Sequence, residues 1–100
     1  MAEPTRVLIV DDHPIVRDGL RGILTTDPAF EVVGEAGDGH DAVIQARALR
    51  PDVVLMDLRM PRVDGVTAIR RLAELDDPPR VLVLTTYDTE SDVLPAIEAG

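Results

Sequence analysis

Three aspartates and one threonine stand where short apolar runs of the sequence stop, and their side chains could do chemistry together. The residues concerned are Asp11, Asp12, Asp57 and Thr85, which follow the runs 7–10, 53–56 and 81–84. If these runs are neighbouring parallel strands, their carboxyl ends meet at one edge of a sheet, with adjacent strands about 4.8 Å apart. We therefore expect the four side chains to share one small pocket.

Three carboxylates in one pocket repel one another unless a cation lies between them. Magnesium prefers oxygen ligands and usually takes one or two carboxylates together with phosphate oxygens. Asp11, Asp12 and Asp57 are therefore predicted metal ligands, with the backbone carbonyl of Arg59 as a further one. A carboxylate can also attack phosphorus and form an aspartyl phosphate. Asp57 is predicted to be that nucleophile because it stands alone at the end of its run, and Thr85 to donate its hydroxyl to a phosphoryl oxygen.

Taken one at a time, these and nearby residues have simpler interpretations. An aspartate at a strand end is more often a turn residue or a helix cap, so the prediction depends on the combination. His13 is interpreted as a residue at a helix start rather than a metal ligand, and His40 as a solvent-facing residue. Gly34, Gly37 and Gly39 are interpreted as turn glycines, since their spacing is the reverse of the dinucleotide-binding fingerprint.

The runs 7–10, 53–56 and 81–84 contain no polar alternation. Such runs are typical of strands buried on both faces of a parallel sheet. A patchier run at 31–36 is predicted to be an edge strand.

Three stretches between the strands repeat apolar residues at helical spacing. The predicted stripes are Val16, Leu20, Ile23 and Leu24; Ala42, Val43, Ala46 and Leu49; and Val66, Ile69, Leu72 and Ala73. Pro14 suits the first turn of the first helix, and Asp38 is the predicted N-cap of the second. A fourth helix is predicted within 89–99, either kinked at Pro95 or beginning near Leu94. This alternation of strands and helices predicts an α/β fold with a doubly wound parallel sheet.

Composition excludes several classes of function. The chain has 100 residues, enough for one small domain, and a net charge of −9, with ten arginines and no lysine. Such an acidic chain repels phosphate backbones, so we expect no nucleic-acid binding by it alone. The absence of cysteine excludes disulfides and thiol catalysis and is typical of a cytoplasmic protein. We expect no membrane span and no signal peptide.

Four segments of the sequence resemble the receiver domain of two-component response regulators. They are VLIVDDHP at 7–14, LMDLRMP at 55–61, DG at 64–65 and VLTT at 83–86. The DDHP phrase and RDGL at 17–20 are most similar to the NarL/FixJ (LuxR-type) subfamily.

The resemblance implies a flavodoxin-like sheet of strand order 2-1-3-4-5. It also implies phosphotransfer from a sensor histidine kinase to Asp57, with Mg²⁺ held by Asp11, Asp12 and the carbonyl of Arg59. In the same comparison Thr85 is the switch hydroxyl that responds to phosphorylation.

Departures from the family pattern lead to further expectations. Members have a fifth strand ending in a lysine that pairs with the phosphoryl group, followed by a fifth helix, whereas this sequence has no lysine and its last residue is Gly100. Tyr87 does not match the family's switch aromatic, which lies on that fifth strand. We therefore interpret residues 1–100 as a C-terminally incomplete receiver domain with a weak phosphorylation response. A DNA-binding helix-turn-helix domain is expected beyond residue 100. We also expect the chain to self-associate through the exposed strand edge at 81–84.

Two other functions stay open at this point. A phosphohydrolase of the haloacid dehalogenase type also forms an aspartyl phosphate, but it needs a second aspartate where Arg59 stands. A pure interaction module would use the acidic residues only as caps. We predict a phosphoacceptor rather than an enzyme, with at most self-phosphorylation from small donors and self-dephosphorylation.

Overall fold

The computed structural model describes residues 3–57 and 62–84, and only the backbone for Asp57, 62–66 and Leu84. Strands and helices alternate along these residues. The elements are β1 (Thr5–Val10), α1 (Pro14–Thr25), β2 (Phe30–Ala36), α2 (Gly39–Leu49), β3 (Val53–Asp57), α3 (Arg62–Ala73) and β4 (Arg80–Leu84). The predicted alternation is confirmed as far as β4. The helix predicted within 89–99 lies outside the described residues.

The strands form one parallel sheet in the order β2-β1-β3-β4. This is the predicted flavodoxin-like order over four strands, and among the described residues β2 is an edge strand, as expected. Helix α1 packs on one face of the sheet, while α2 and α3 pack on the other.

Strand β1 is buried on both faces because its side chains alternate between two apolar clusters. Leu8 and Val10 pack with α2 and α3, whereas Val7 and Ile9 pack with α1, and all four are fully buried. This arrangement explains why the run contains no polar residue.

Strand β4 departs from the prediction of burial on both faces. Val81 and Leu82 are half-buried, and Val83 is 38% exposed. Within the described residues β4 pairs with β3 alone, so its outer side has no neighbouring strand to bury it.

The helix starts follow local chemistry. Pro14 lies in the first turn of α1, where its missing N–H costs no hydrogen bond. The side chain of Asp38 caps α2 by accepting a 2.7 Å hydrogen bond from the backbone N–H of Asp41, as predicted.

The predicted apolar stripe of α3 is wrong at one residue. Ala73 is exposed, while Ala68, one turn before the buried Leu72, is buried instead. Residues four apart lie on the same helix face, so Ala68 and Leu72 point together to the core.

The interpretation of the glycines as turn residues is wrong at two positions. Gly34 lies inside β2, next to a bulge where Val7 pairs with Val32 but Leu8 pairs with Gly34. Gly39 is the first residue of α2, and Gly37 alone lies in the connection. A bulge brings an extra residue into one strand, so the glycine serves strand packing rather than a turn.

No helix in the described part of the chain is both long and apolar enough to cross a bilayer.

Candidate functional site

The strand register brings the predicted acidic residues to one edge of the sheet. Val10 pairs with Met56, so Asp11 and Asp57 come next along two adjacent strands. The backbone of Asp57 in turn pairs with Leu84, the residue before Thr85. Because all these strands are parallel, the carboxyl ends of β1, β3 and β4 lie on the same side of the molecule.

Two of the predicted site residues lie outside the described residues. They are Arg59, whose carbonyl is a predicted metal ligand, and Thr85, the predicted switch hydroxyl.

Asp11 is a fully buried acidic residue at the end of β1. Its backbone N–H continues the sheet by donating to the carbonyl of Ala36 at 3.0 Å. Its Oδ1 accepts a 2.7 Å hydrogen bond from the backbone N–H of His13, but its Oδ2 is buried and has no hydrogen-bond partner among the described residues. A buried carboxylate oxygen without a partner destabilises a fold, so this atom fits a cation ligand.

Asp12 and His13 lie beside Asp11 and form a cluster with it, and both are more exposed to solvent than Asp11 is. The Nδ1 of His13 lies 2.7 Å from Oδ1 of Asp12 and 3.1 Å from Oδ1 of Asp11. Ligand atoms of all three residues lie within 4.8 Å of one another. The side chains of Asp12 and His13 are 38% and 52% exposed, so a cation can enter from solvent.

His13 is also the N-cap of α1, and its carbonyl accepts from the N–H groups of Val16 and Arg17. The interpretation of His13 as a helix-start residue is therefore confirmed. Sequence reasoning missed that the ring joins the acidic cluster, because the direction of a cap side chain is not encoded in hydrophobic periodicity.

Arg17 of α1 contacts the loop that carries Asp11 and Asp12, Arg21 shares its acidic partner Glu35, and sequence reasoning missed both arginines. The Nη1 of Arg17 donates to the backbone carbonyl of Asp11 at 2.5 Å. Glu35 of β2 accepts from Arg17 at 3.3 Å and from Arg21 at 2.5 Å. The two arginines are one helical turn apart, a spacing that suggests a shared acidic partner.

Similarity to known proteins identifies the family to which this arrangement belongs. Residues 7–100 match the family model described as the response regulator receiver domain. The chain belongs to this family. Receiver domains bind Mg²⁺ at an acidic pocket, and this chain has a cluster of acidic residues and a histidine, Asp11, Asp12 and His13, at the end of β1.

Among relatives of this receiver domain is the transcriptional regulatory protein LiaR of Bacillus subtilis. It is 48% identical over 96 residues, which cover 95% of this chain and 45% of LiaR. The chain thus spans less than half the length of that relative. Another relative is a protein-glutamate methylesterase/protein-glutamine glutaminase of Alkalilimnicola ehrlichii, 43% identical over 95% of this chain and 25% of that enzyme.

Solved structures agree with the family and subfamily. The signal receiver domain of the putative response regulator NarL from Mycobacterium tuberculosis is 40% identical, with a TM-score of 0.73, over 99% of this chain and 80% of that one. A LuxR-family two-component response regulator from Aurantimonas is 39% identical, with a TM-score of 0.76, over 97% of this chain and 69% of that one. The expected relationship to the NarL and LuxR-type regulators is confirmed.

Proposed function

We propose that this receiver domain accepts a phosphoryl group on Asp57, with Mg²⁺ held by Asp11, Asp12, Asp57 and the backbone carbonyl of Arg59. The observation that carries the proposal is the buried Oδ2 of Asp11, which lacks a hydrogen-bond partner among the described residues, at the strand end next to that of Asp57. An oxygen-rich donor set of this kind suits Mg²⁺.

Each residue of the proposed site has its own role in phosphoryl transfer. An oxygen of Asp57 forms a bond to phosphorus while the bond from phosphorus to the donor's leaving atom breaks, and the leaving atom keeps the electron pair. When bound, Mg²⁺ offsets the negative charge that develops on the phosphoryl oxygens. Asp11 is held for this purpose by the backbone N–H of His13 and by Arg17, and the side chain of Asp12 lies 2.7 Å from the Nδ1 of His13. Thr85 donates its hydroxyl to a phosphoryl oxygen and so reports phosphorylation to the residues that follow β4.

Acetyl phosphate with Mg²⁺ tests the assignment of Asp57. We expect intact-mass spectrometry to show a gain of one phosphoryl group, with an adduct that is stable to acid and labile to base. The gain should disappear in Asp57→Ala and persist in Asp18→Ala, a matched change of an exposed aspartate on α1. An unchanged gain in Asp57→Ala would overturn the proposal.

Phosphoryl supply from a sensor histidine kinase predicts a docking contact beside the site. Ile15 is 86% exposed in the first turn of α1, two residues after the cluster residue His13. We expect Ile15→Ala to slow phosphotransfer from the phosphorylated kinase severalfold, because an apolar contact is lost. The same variant should react with acetyl phosphate at the unchanged rate. Equal rates of phosphotransfer from the kinase to the wild type and to Ile15→Ala would argue against docking at Ile15.

The output proposed for the longer protein is control of transcription by a DNA-binding helix-turn-helix domain beyond residue 100. Support comes from LiaR, a transcriptional regulatory protein. In this proposal the receiver domain, residues 1–100, is a phosphoacceptor and not an enzyme. Because such an output acts on DNA, we propose a cytoplasmic location.

Sequencing the gene past the codon for Gly100 tests the proposed DNA-binding output. A helix-turn-helix pattern supports this output, and a methylesterase domain overturns it.

We also propose that the outer edge of β4 mediates self-association. Among the described residues β4 pairs only with β3, and Val83 on this strand is 38% exposed. An apolar edge of this kind is a template for pairing with a second chain. Light scattering over rising concentration should show a mass increase that Val83→Lys reduces, whereas Ile44→Lys, on exposed α2 surface, should not. A monodisperse monomer at the highest concentration would contradict self-association.

A further inference from the structure

We infer that the groove between α2 and α3 is a docking surface for an acidic amphipathic helix of a partner protein. This α2–α3 groove has a volume of about 400 Å³. It lies on the face of the sheet opposite α1, and the inference does not depend on phosphoryl transfer to Asp57. The described residues that line the groove are His40, Val43, Ile44, Arg47, Arg71, Glu74 and Leu75.

Packing of α2 against α3 gives the groove an apolar floor and leaves one apolar side chain largely in solvent. Val43 packs with Leu72 in a buried cluster, and the half-buried Leu75 packs against the same cluster. Ile44, the next residue along α2, is 53% exposed. Residues three and four apart share a helix face, so the α2 residues of the groove form one wall. A groove with an apolar floor of this kind fits the apolar face of a partner helix.

The turn after α3 fixes the other wall. The N–H of Glu74 donates to the carbonyl of Arg71 at 3.1 Å, and the N–H of Leu75 donates to the carbonyl of Leu72 at 3.3 Å. These hydrogen bonds hold the side of the groove formed by α3 in place without a partner. A preformed groove of this kind lowers the ordering cost of binding.

Charge indicates which partner helix fits the groove. Arg47 on one wall and Arg71 on the other are exposed, and neither forms an ion pair within the described part of the chain. Glu74 is the one carboxylate among the described lining residues, so positive charge exceeds negative charge in the groove. The chain as a whole has a net charge of −9. The groove is therefore complementary to a helix with carboxylates beside its apolar face.

The positive stretch ends where the groove continues past Arg47 and Leu75. The adjoining hollow of about 170 Å³ contains Arg50 but also Asp76 and Asp77. Carboxylates of a partner would meet like charge there. We therefore place them against Arg47 and Arg71 and away from this hollow.

Two other occupants fit the charges less well. A second copy bound through the same surface about a two-fold axis would bring two positive patches together. A phosphate backbone would be attracted by the two arginines but repelled by the rest of the acidic chain. An acidic helix of a separate protein avoids both conflicts.

Binding of labelled peptides to the 100-residue chain tests the inference. The probe is a fluorescein-labelled peptide of about 15 residues, long enough to form a helix. It has leucines spaced three and four apart, glutamates beside this stripe and alanines elsewhere, and two comparison peptides carry glutamine or lysine in place of glutamate. Fluorescence anisotropy gives the affinities. Methyl NMR locates the peptide, because signals of Ile44 and Leu75 should shift while those of Ile15, which is exposed on α1, should not.

We expect the glutamate peptide to bind most tightly and the lysine peptide least tightly. Arg47→Gln and Arg71→Gln should each weaken binding of the glutamate peptide by about threefold, the range of an exposed ion pair. Glu74→Gln should strengthen it by a similar factor, because a like charge is removed. Arg70→Gln is the matched control. Arg70 is exposed on α3 beside Arg71 but does not line the groove, and its loss changes the net charge equally.

Ile44→Ala should weaken binding of the glutamate and glutamine peptides alike by about fivefold, since apolar contact is lost, and Ile15→Ala should not. Failure of the glutamate peptide to bind, equal affinities for the three peptides, or equal effects of Arg70→Gln and Arg71→Gln would overturn the inference. Self-association that Arg47→Gln abolishes without changing peptide binding would also overturn it and assign the groove to a second copy.

Asp57→Ala separates this inference from the proposed function. The variant should lose phosphorylation and bind the glutamate peptide as the wild type does. If the wild type is phosphorylated but binds no peptide, the docking inference alone is wrong.

Discussion

At the scale of single residues, the site depends on a carboxylate that is costly to the fold. Asp11 is fully buried, and only one of its two oxygens is hydrogen-bonded within the described residues. Burial of such a group destabilises the chain, and a cation bound at the proposed site would relieve that cost. The proposed function and the stability of the fold therefore make opposite demands on Asp11.

Asp11→Asn should make the metal-free chain more stable. The amide removes the buried charge, and its oxygen can still accept from the N–H of His13. We expect the free energy of unfolding in urea with EDTA to rise by about 1–2 kcal/mol. Added Mg²⁺ should stabilise the wild type but not this variant. Asp18→Asn, on the exposed face of α1, is the control, and a less stable Asp11→Asn chain would contradict the argument.

At the scale of elements, β2 and α2 approach closely at Gly34, where a side chain on the strand would push against side chains of the helix. A Cβ placed on Gly34 would lie 2.6 Å from Oε1 of Gln45 and 2.8 Å from Cδ1 of Leu49. The Nε2 of Gln45 donates to the carbonyl of Glu35 at 2.6 Å, so that side chain cannot move away freely. Because Glu35 binds the two arginines of α1, this contact also supports the loop at the site.

Gly34→Ala should therefore destabilise the chain by about 1–3 kcal/mol, the usual cost of overpacking. Gly22→Ala is the matched control, because nothing lies within 4 Å of a Cβ at that position in α1. Alanine is the better helix former, so this control should stabilise the chain by about 0.5–1 kcal/mol. Urea unfolding of both variants measures the difference, and equal effects of the two substitutions would refute the packing argument.

Removing the connection between α1 and β2 should weaken the site without removing a metal ligand. Arg17→Met keeps most of the apolar stem but loses the hydrogen bond to the carbonyl of Asp11 and the ion pair with Glu35. We expect Mg²⁺ affinity, measured by calorimetry, to fall about tenfold because the loop is less well positioned. Arg47→Met, an exposed arginine of α2, controls for the change in net charge. Equal affinities in the two variants would show that Arg17 does not position the loop.

At the scale of the whole molecule, the net charge of −9 opposes compact folding, because like charges repel one another. Raising NaCl from about 0.01 to 0.15 M shortens the screening length from about 30 to 8 Å. The melting temperature should therefore rise over this range.

Mg²⁺ at the same ionic strength should raise the melting temperature further, because it binds as well as screens. The double variant Asp11→Asn with Asp12→Asn should lose this additional rise and keep the effect of NaCl. Equal shifts with Mg²⁺ and NaCl in the wild type would show that screening accounts for the whole effect.

The sequence alone determined the order of the elements and the end of the sheet at which the acidic residues lie. Unbroken apolar runs such as 7–10 mark strands buried on both faces, and helical stripes mark the segments between them. Parallel strands present all their carboxyl ends together, so the positions of Asp11 and Asp57 at strand ends were enough to bring their backbones to one edge. These properties could be predicted because each depends on a local pattern that repeats along the chain.

Only the tertiary structure decided which side chains meet. The ring of His13 against two carboxylates, the ion pairs of Arg17 and Arg21 with Glu35, and the close approach to Gly34 each join residues whose contact no periodicity encodes. Their geometry follows from the cap conformation of one residue, the packing of α1 beside β2 and a bulge in β2. Partners of this kind are set by the approach of whole elements in three dimensions, which a local pattern of polar and apolar residues does not specify.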